Sequence, residues 1–500
     1  MGISNAIDNS VRARVLGIKT EFRNFNTGRT FFLPQHVALL GQGNTAATYA
    51  LTPFRATSAA QVGQRFGFGS PLHLAALQLL PDNNDGLRSI PLTIFPLNDN
   101  SAGVAAAGSL DLSGSATATA TIRVRIGSQR SSLITIPTGT TASQAAALIV
   151  AGIQGNTFMP VTSEVDATND NEVNVAAKWK GLSGNDLVVS IEGAVAGLTV
   201  AITQPTGGAA DPDTADALAL FGENVWYTQI VSCFNTANTD ALNAFETFGE
   251  GRWNPILRRP LAVFTGTNET NANTLAAIGD ARRAQRTNLI TPVPGAQNLP
   301  CEIAAAWVAR VARSANNDPA SDFARLTLPG LTPGTDAQQW SHTQRDLLVK
   351  AGISTSIVRD GVAEISDTVT TYHPTGEVNP GYLFYKDTVK ASNVLYNLDL
   401  IFNTREWDGA PLIPDDQPTT NARAKRPKDA VAVLSVLANN LALDAIISDV
   451  PFTLENIRAS INDQNPNRLD IIFPAKNSGN ANIISLDYFF GFFLGTQAAV

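Results

Sequence analysis

VWYTQIVSCF (residues 225–234), TDALNAFETF (239–248), RPLAVFTG (259–266), TLAAIGDARRAQR (274–286), NLITPVP (288–294) and CEIAAAWVARVAR (301–313) follow one another in that order. The first, third and fifth are short, apolar and rich in β-branched or aromatic residues, the signature of buried strands, and the others are long enough for helices. Strands alternating with such helices form a parallel sheet covered on its faces. The same grammar occurs earlier in the chain. HVALLG (36–41) reads as a strand, PLHLAALQLL (71–80) as an amphipathic helix and SIPLTIFPL (89–97) as a second strand, a βαβ unit. One α/β core is therefore expected on two separated stretches, 27–100 and 209–370.

The stretch between them, 101–208, has a different character. In ATATATIRVRI (116–126), Ala116, Ala118, Ala120, Ile122, Val124 and Ile126 alternate strictly with Thr117, Thr119, Thr121, Arg123 and Arg125. That period of two predicts a half-buried antiparallel strand with the arginines on its polar face. Gly127 and Ser128 turn the chain into SLITIP (132–137), and Thr141 with Gln144 forms a capping box for the helix TASQAAALIVAGI (141–153). FMPVTSEV, EVNVAAKW, DLVVSIEG and LTVAITQ are further strand candidates. An inserted β-rich domain follows, its flanks DNSAGVAAAGS (99–109) and PTGGAADPD (205–213) reading as flexible linkers.

Downstream, TPGTDAQQWSHTQRDLLVKAG (332–352) reads as one helix. Thr335 and Gln338 open it, Trp340, Leu347, Leu348 and Ala351 share a face, and Gly352 stops it. YKDTVKASNVLYNLDLIF (385–402) reads as a helix with Val394, Leu395, Leu398, Ile401 and Phe402 as its apolar stripe. NRLDIIFP (467–474) and NIISLDYFFGFF (482–493) are strand-like. Residues 1–26 alternate only in RARVLGIKTEF (12–22) and read as an arm that docks elsewhere. The fold class expected is α/β and α+β multidomain: a discontinuous α/β core, the inserted domain, a C-terminal α+β domain on 371–480, and extended terminal arms, the second on 481–500.

Composition narrows the function. The chain has 500 residues, 16% of them charged, with a net charge of −8. So little charge, and acidic on balance, leaves no footprint for nucleic acid and favours surfaces that meet other protein. Cys233 and Cys301 lie in apolar runs, as buried free thiols do, so no disulfide is expected. The N-terminus lacks the features of a secretory signal or a myristoylation site, and Asn439, Asn440 and Asp444 interrupt the longest apolar stretch before it could span a bilayer. A soluble protein, made in the cytoplasm and not inserted in membrane, is expected.

Gly41-Gln42-Gly43-Asn44-Thr45-Ala46 fits a loose dinucleotide-binding fingerprint, yet residues 47–81 contain no acid to hold a ribose, so a strand-end turn is the simpler reading. His36, His73, His342 and His373 form no metal-ligand spacing, and His73 reads as a packed imidazole. Neither a nucleophile elbow nor a P-loop occurs. No cofactor, metal or catalytic residue is expected. Arg423, Lys425, Arg426 and Lys428, in NARAKRPKDAVAVL (421–434), are the densest positive cluster, either a solvated loop or a docking patch for an acidic partner.

Three stretches carry a family resemblance: SNAIDNSVRARVLGIKTEF (4–22) leading to Gly41-Gln42-Gly43; WSHTQRDLLVKAGISTSIVRDGVAEISDTVTTY (340–372); and DQNPNRLDIIFPA (463–475). In this order they resemble the tail sheath proteins of contractile bacteriophages, closest to the Mu-like group. The resemblance implies a structural subunit polymerised as helically stacked hexameric rings around a tail tube, which contracts to drive the tube through a host envelope. It implies tail tube, baseplate and tail terminator proteins as partners, a place in the virion tail after assembly in the host cytoplasm, and no enzymatic activity. It further implies that 371–480 faces the tube, with Arg423, Lys425, Arg426 and Lys428 as tube-facing residues. Strand exchange between subunits would fall to Arg14, Val15, Leu16 and Ile18 in one arm and Leu486, Tyr488, Phe490 and Phe492 in the other. The alternatives are a nucleotide-binding oxidoreductase resting on Gly41 to Ala46, or another virion structural protein.

Overall fold

The computed structural model describes residues 30–377 and 381–492. Two compact units make up the chain, one formed by Phe402–Lys476, the other by Phe32–Ile401 with the chain from Asn477. Arg14, Val15, Leu16 and Ile18 lie outside the described residues.

In the larger unit, β1 (Val37–Gln42) is buried at every position. After it come β2 (Phe54–Ala56), α1 (Ala59–Phe66), α2 (Pro71–Leu79) and β3 (Leu92–Leu97). β1 and β3 pair in parallel, Val37 opposite Leu92 through Gln42 opposite Leu97, so the expected βαβ unit is present. Ser70 caps α2 by accepting the His73 amide, and Pro71 occupies its first turn. α2 is not amphipathic as expected: Leu72, His73, Leu74, Ala75, Ala76 and Leu79 are all buried, and they point all round the helix. A helix apolar on every side must be enclosed, and α1 on one flank and a later helix on the other enclose this one.

The insertion holds β4 (Ala107–Gly114), β5 (Ala120–Ile126), β6 (Gln129–Arg130), β7 (Ile134–Ile136), α3 (Ala142–Gln154), β8 (Val161–Val165), β9 (Glu172–Ala177), β10 (Val189–Glu192) and β11 (Leu198–Thr206). They form an antiparallel sheet in the order β11-β4-β9-β8 and a second one in which β5 pairs with β10, β6 and β7. The turn at Gly127, with φ of 61°, and the Thr141–Gln144 capping box are where the residues put them. Two expectations change. Arg125 does not share the solvated face of Arg123: it is buried, its Nε donating to the Gly127 carbonyl (3.1 Å) and its Nη2 to Thr332 Oγ1 (2.6 Å). That end of β5 abuts the α/β core, which an alternation count within one strand cannot register. The flanks are also not flexible linkers, because Val104 and Ala209 exchange both backbone hydrogen bonds (3.0 and 3.1 Å) and β4 starts inside the first flank.

Past the insertion come α4 (Ala215–Ala219), β12 (Gln229–Ser232), α5 (Thr239–Arg252), β13 (Ala262–Thr267), α6 (Ala272–Asp280), β14 (Asn288–Pro292) and α7 (Pro300–Asn317). Each strand and helix read from 225–313 is present. One six-stranded sheet in the order β14-β13-β12-β1-β3-β2 joins both stretches, parallel throughout except at β2. α7 packs on α2 and on β12 and β13, with Trp307 wholly buried.

The single helix expected over 332–352 is broken. Thr335 and Gln338 do form a capping box, but only for a 3-10 turn, Asp336–Gln338. A second box, Ser341 with Gln344, then opens α8 (His342–Lys350). Trp340 falls in the break, where its Nε1 donates to the Thr270 carbonyl (2.7 Å). Leu347 faces solvent, while Leu348 and Ala351 are buried. β15 (Thr355–Arg359) and β16 (Val362–Asp367) form a hairpin whose Asp360-Gly361 turn has both φ values positive, 49° and 76°.

α9 (Tyr385–Phe402) has the expected bounds but not the expected face. Lys386, Lys390, Asn393 and Asn397 are buried, whereas Val394, Leu395, Leu398 and Ile401 are only half-buried. Hydrogen bonds decide this orientation, among them the Leu33 amide donating to Asn393 Oδ1 (2.8 Å).

The unit Phe402–Lys476 contains α10 (Pro427–Leu443), α11 (Val450–Asn456) and an antiparallel hairpin of Arg458–Ile461 with Leu469–Ile472, the latter being the strand expected in NRLDIIFP. The run NIISLDYFFGFF, expected as a strand, has no strand as far as Phe492. A strand needs a paired neighbour, and this run has none among the described residues.

Candidate interaction surfaces

Arg423, Lys425, Arg426 and Lys428 do converge at the entrance of α10, but the loop before the helix engages each of them. Arg423 Nη2 donates to the Asp408 carbonyl (3.4 Å). Lys425 pairs with Glu406 and lies 5.1 Å from the centre of the Trp407 ring. Arg426 Nη2 donates to the Gln417 carbonyl (3.1 Å), and Lys428 Nζ to that of Asp415 (2.5 Å). Residues 405–429 carry five basic and five acidic side chains, so the patch is close to neutral as a whole. Beside it lies a groove of about 520 Å³ lined by Phe402, Trp407, Pro411, Leu412, Leu469 and Ile471.

Leu486, Tyr488, Phe490 and Phe492 stand in the open. From Ile483 to Phe492, seven large apolar side chains are each 76–91% exposed. Soluble chains rarely leave such a patch uncovered.

The glycine loop serves packing. A Cβ on Gly41 would stand 2.4 Å from Cys233 Cβ, and one on Gly43 2.5 Å from the Tyr49 ring, whose hydroxyl accepts the Gly43 amide (2.9 Å). The chain leaves the loop extended, with no helix whose N-terminus could face a phosphate. In an open α/β sheet a ligand would sit at the carboxyl ends of the strands where their order reverses, here between β1 and β12. The insertion's own residues 180–186 occupy that place. Gln42 Nε2 donates to the Lys180 carbonyl (2.8 Å) and to Asp99 Oδ1 (2.7 Å), Asn235 Nδ2 donates to Asp186 (2.6 Å), and Asp211 accepts the Leu182 amide (2.6 Å). Burial pushes the Asp186 carboxyl up to about 6.

His73 is wedged between Phe68 and Phe158, with ring centres 5.1 and 4.8 Å away, and its Nδ1 accepts the Gly69 amide (3.1 Å). Burial lowers it to about 4, so it stays neutral. It is the packed imidazole its apolar surroundings predict. Cys233 and Cys301 are buried free thiols, and their contact together with burial holds the Cys301 thiol well above its usual range. Among the described residues no group of three or more His, Cys, Asp or Glu could hold a metal, and no helix is long and apolar enough to cross a membrane. Two buried lysines, Lys386 and Lys390, escape sequence reasoning, since nothing in their spacing distinguishes them from solvated ones.

No protein-family model matches the chain. It is 26% identical over 362 residues to the Mu-like prophage FluMu tail sheath protein of Haemophilus influenzae, covering 70% of this chain and 71% of that protein. The resemblance to Mu-like tail sheath proteins is thus recorded at the level of sequence, and it is to a sheath protein and not to an enzyme. Among solved structures, a sheath tail protein of Desulfitobacterium hafniense matches at 15% identity and a TM-score of 0.44, over 90% of this chain and 93% of that one. One of Listeria innocua matches at 13% and 0.47, over 90% and 94%. The helical sheath of the anti-feeding prophage, in its contracted state, matches at 11% and 0.45, over 96% and 99%.

Proposed function

We propose that this chain is the structural subunit of a contractile tail sheath, stacking as hexameric rings around a tail tube and contracting to drive that tube through a host envelope. The observation that carries the reading is the sequence similarity to a Mu-like prophage tail sheath protein across most of both chains. The exposed apolar run supports it: seven large side chains between Ile483 and Phe492 suit a segment covered only after assembly. In the polymer, Leu486, Tyr488, Phe490 and Phe492, with Arg14, Val15, Leu16 and Ile18 from the other terminus, add strands to sheets of neighbouring subunits. Backbone pairing of that kind tolerates rotation of the domains it joins. Residues 371–480 face the tube, with Arg423, Lys425, Arg426 and Lys428 at the contact, and 101–208 faces outward. Contraction draws on free energy stored in the extended lattice and consumes no nucleotide. Its partners are the tube, the baseplate and the tail terminator, and its place is the virion tail, after assembly in the host cytoplasm.

Negative-stain microscopy of the purified protein tests this reading. Wide hollow tubes are expected, whereas compact oligomers that bind a dinucleotide would replace it with the oxidoreductase alternative.

A further inference from the structure

Lys390 is completely buried and Lys386 is only 4% exposed, both on α9. A buried ammonium is costly unless its donors are satisfied. Here the chain's last described stretch satisfies them. Lys390 Nζ donates to the Ser478 carbonyl (2.6 Å) and to Asn480 Oδ1 (2.6 Å), with the Asp387 carboxylate at 3.4 Å. Lys386 Nζ donates to Asp322 Oδ2 (2.6 Å) and to Asn482 Oδ1. Asn480 Nδ2 in turn donates to the Ala320 carbonyl (2.9 Å). Residues 478, 480 and 482 are thus each gripped, and the Asn482 amide donates to the Asn480 carbonyl (2.9 Å), closing a tight turn between the last two. That segment reads Ser-Gly-Asn-Ala-Asn and has no apolar side chain larger than Ala to bury, so polar contacts are what can hold it. Immediately beyond it Ile483 is 91% exposed, and the apolar run begins.

We infer that Lys386 and Lys390 anchor the C-terminal run: they clamp residues 478–482 to the α/β core, so the run pivots after Asn482 and any pull on it enters the subunit through α9. The purpose of this clamp, though not its geometry, rests on the proposed role of the run in joining subunits. An ammonium carries three donors in a compact charge and can gather several acceptors of a small-residue segment at once. Methionine of similar length would fill the space and hold nothing.

The test uses the full chain with nitroxide labels at Ala481→Cys and Asn273→Cys, Cys233 and Cys301 being buried and out of reach of the label. Pulsed electron resonance on the unassembled protein should give one narrow distance distribution. Lys390→Met should broaden it roughly twofold or more, with helix content kept by circular dichroism. Asn480→Ala, which acts from the arm side and leaves the core untouched, should broaden it as well. A broad parent distribution, or no change in either variant, overturns the anchor. For the load path, tube assembly by Lys386→Met/Lys390→Met is compared with that of a chain ending at Asn482. Tubes from the truncated chain would refute the joining role of the run and leave the label result standing. Tubes as abundant as the parent's from the double variant, where truncation abolishes them, would refute the load path.

Discussion

Asp186 belongs to the insertion's segment that packs on the α/β core, with Asn235 donating to it, and burial, with the nearby Asp211 charge adding, raises its carboxyl to about 6. The folded state therefore favours the neutral acid. Its contribution is complete below the ordinary value of 3.8 and is lost as the pH rises through about 6. Asp186→Asn keeps the acceptor and removes the charge. The variant should melt close to the parent at about pH 3.5 and above it at about pH 8, by the equivalent of about 1–3 kcal/mol. Parallel melting curves at both pH values would show that the carboxyl is well solvated. The basic cluster calls for a second test at this scale. Because Lys425 pairs with Glu406 over Trp407, Lys425→Glu should loosen the 403–426 loop at a cost of about 0.5–1 kcal/mol. Tryptophan fluorescence should report the change, and adding Glu406→Lys should reverse it. Where that reversal restores the loop, tube binding that stays lost in the swapped protein measures contact and not loop folding. His73 was legible because it sits in an apolar helix close to Phe68, even though Phe158, which packs on its ring, comes from the insertion. Arg125 and Asp186 were not, since distant segments bury them.

Helix 332–352 shows what a capping signature settles at the scale of elements and what it does not. Both boxes are written in the residues, Thr335 with Gln338 and Ser341 with Gln344, but a box fixes a start and not a length. Ser341→Ala should cost about 1 kcal/mol by chemical denaturation, and Thr335→Ala clearly less, since it opens a single turn. Equal losses would mean that α8 does not depend on its own cap. The parallel sheet was legible because its strands are buried on both faces and read as continuous apolar runs. The face of α9 was not, because hydrogen bonds with partners far along the chain, the Leu33 amide donating to Asn393 and Asp322, Ser478 and Asn480 accepting from its lysines, outweigh its apolar stripe. The insertion's neck was misread for a related reason: Ala and Gly look like a linker, yet Val104 and Ala209 pair their backbones. Replacing 101–208 by a short Gly/Ser linker therefore removes Phe158 from Phe68 and His73 and uncovers Gln42. Such a protein should fold with a melting point several degrees lower and still polymerise. Complete loss of tubes in a folded deletion would place the insertion inside the assembly contacts.

At the scale of the whole molecule, the run from Ile483 to Phe492 sets stability against solubility. Its large side chains expose apolar area worth roughly 1.5–3 kcal/mol each if buried, a driving force that a free subunit leaves unused. The run is strand-like in sequence, but a strand needs a backbone partner that the described chain does not supply. Removing residues 484–500 should thus have two opposite effects. Aggregation of the unassembled subunit should fall, because six large exposed apolar side chains of the run are gone. Tube formation should fail, because the free energy of covering them is no longer available to hold subunits together. The α/β core should keep its melting point within about a degree, since among the described residues the side chains from Ile484 to Phe492 stand in the open and the clamp at residues 478–482 is kept. Light scattering, electron microscopy and calorimetry on one preparation separate these outcomes. Tubes built by the truncated chain would mean that side-chain contacts between folded domains suffice for polymerisation, and the run would then need another partner to explain its exposure.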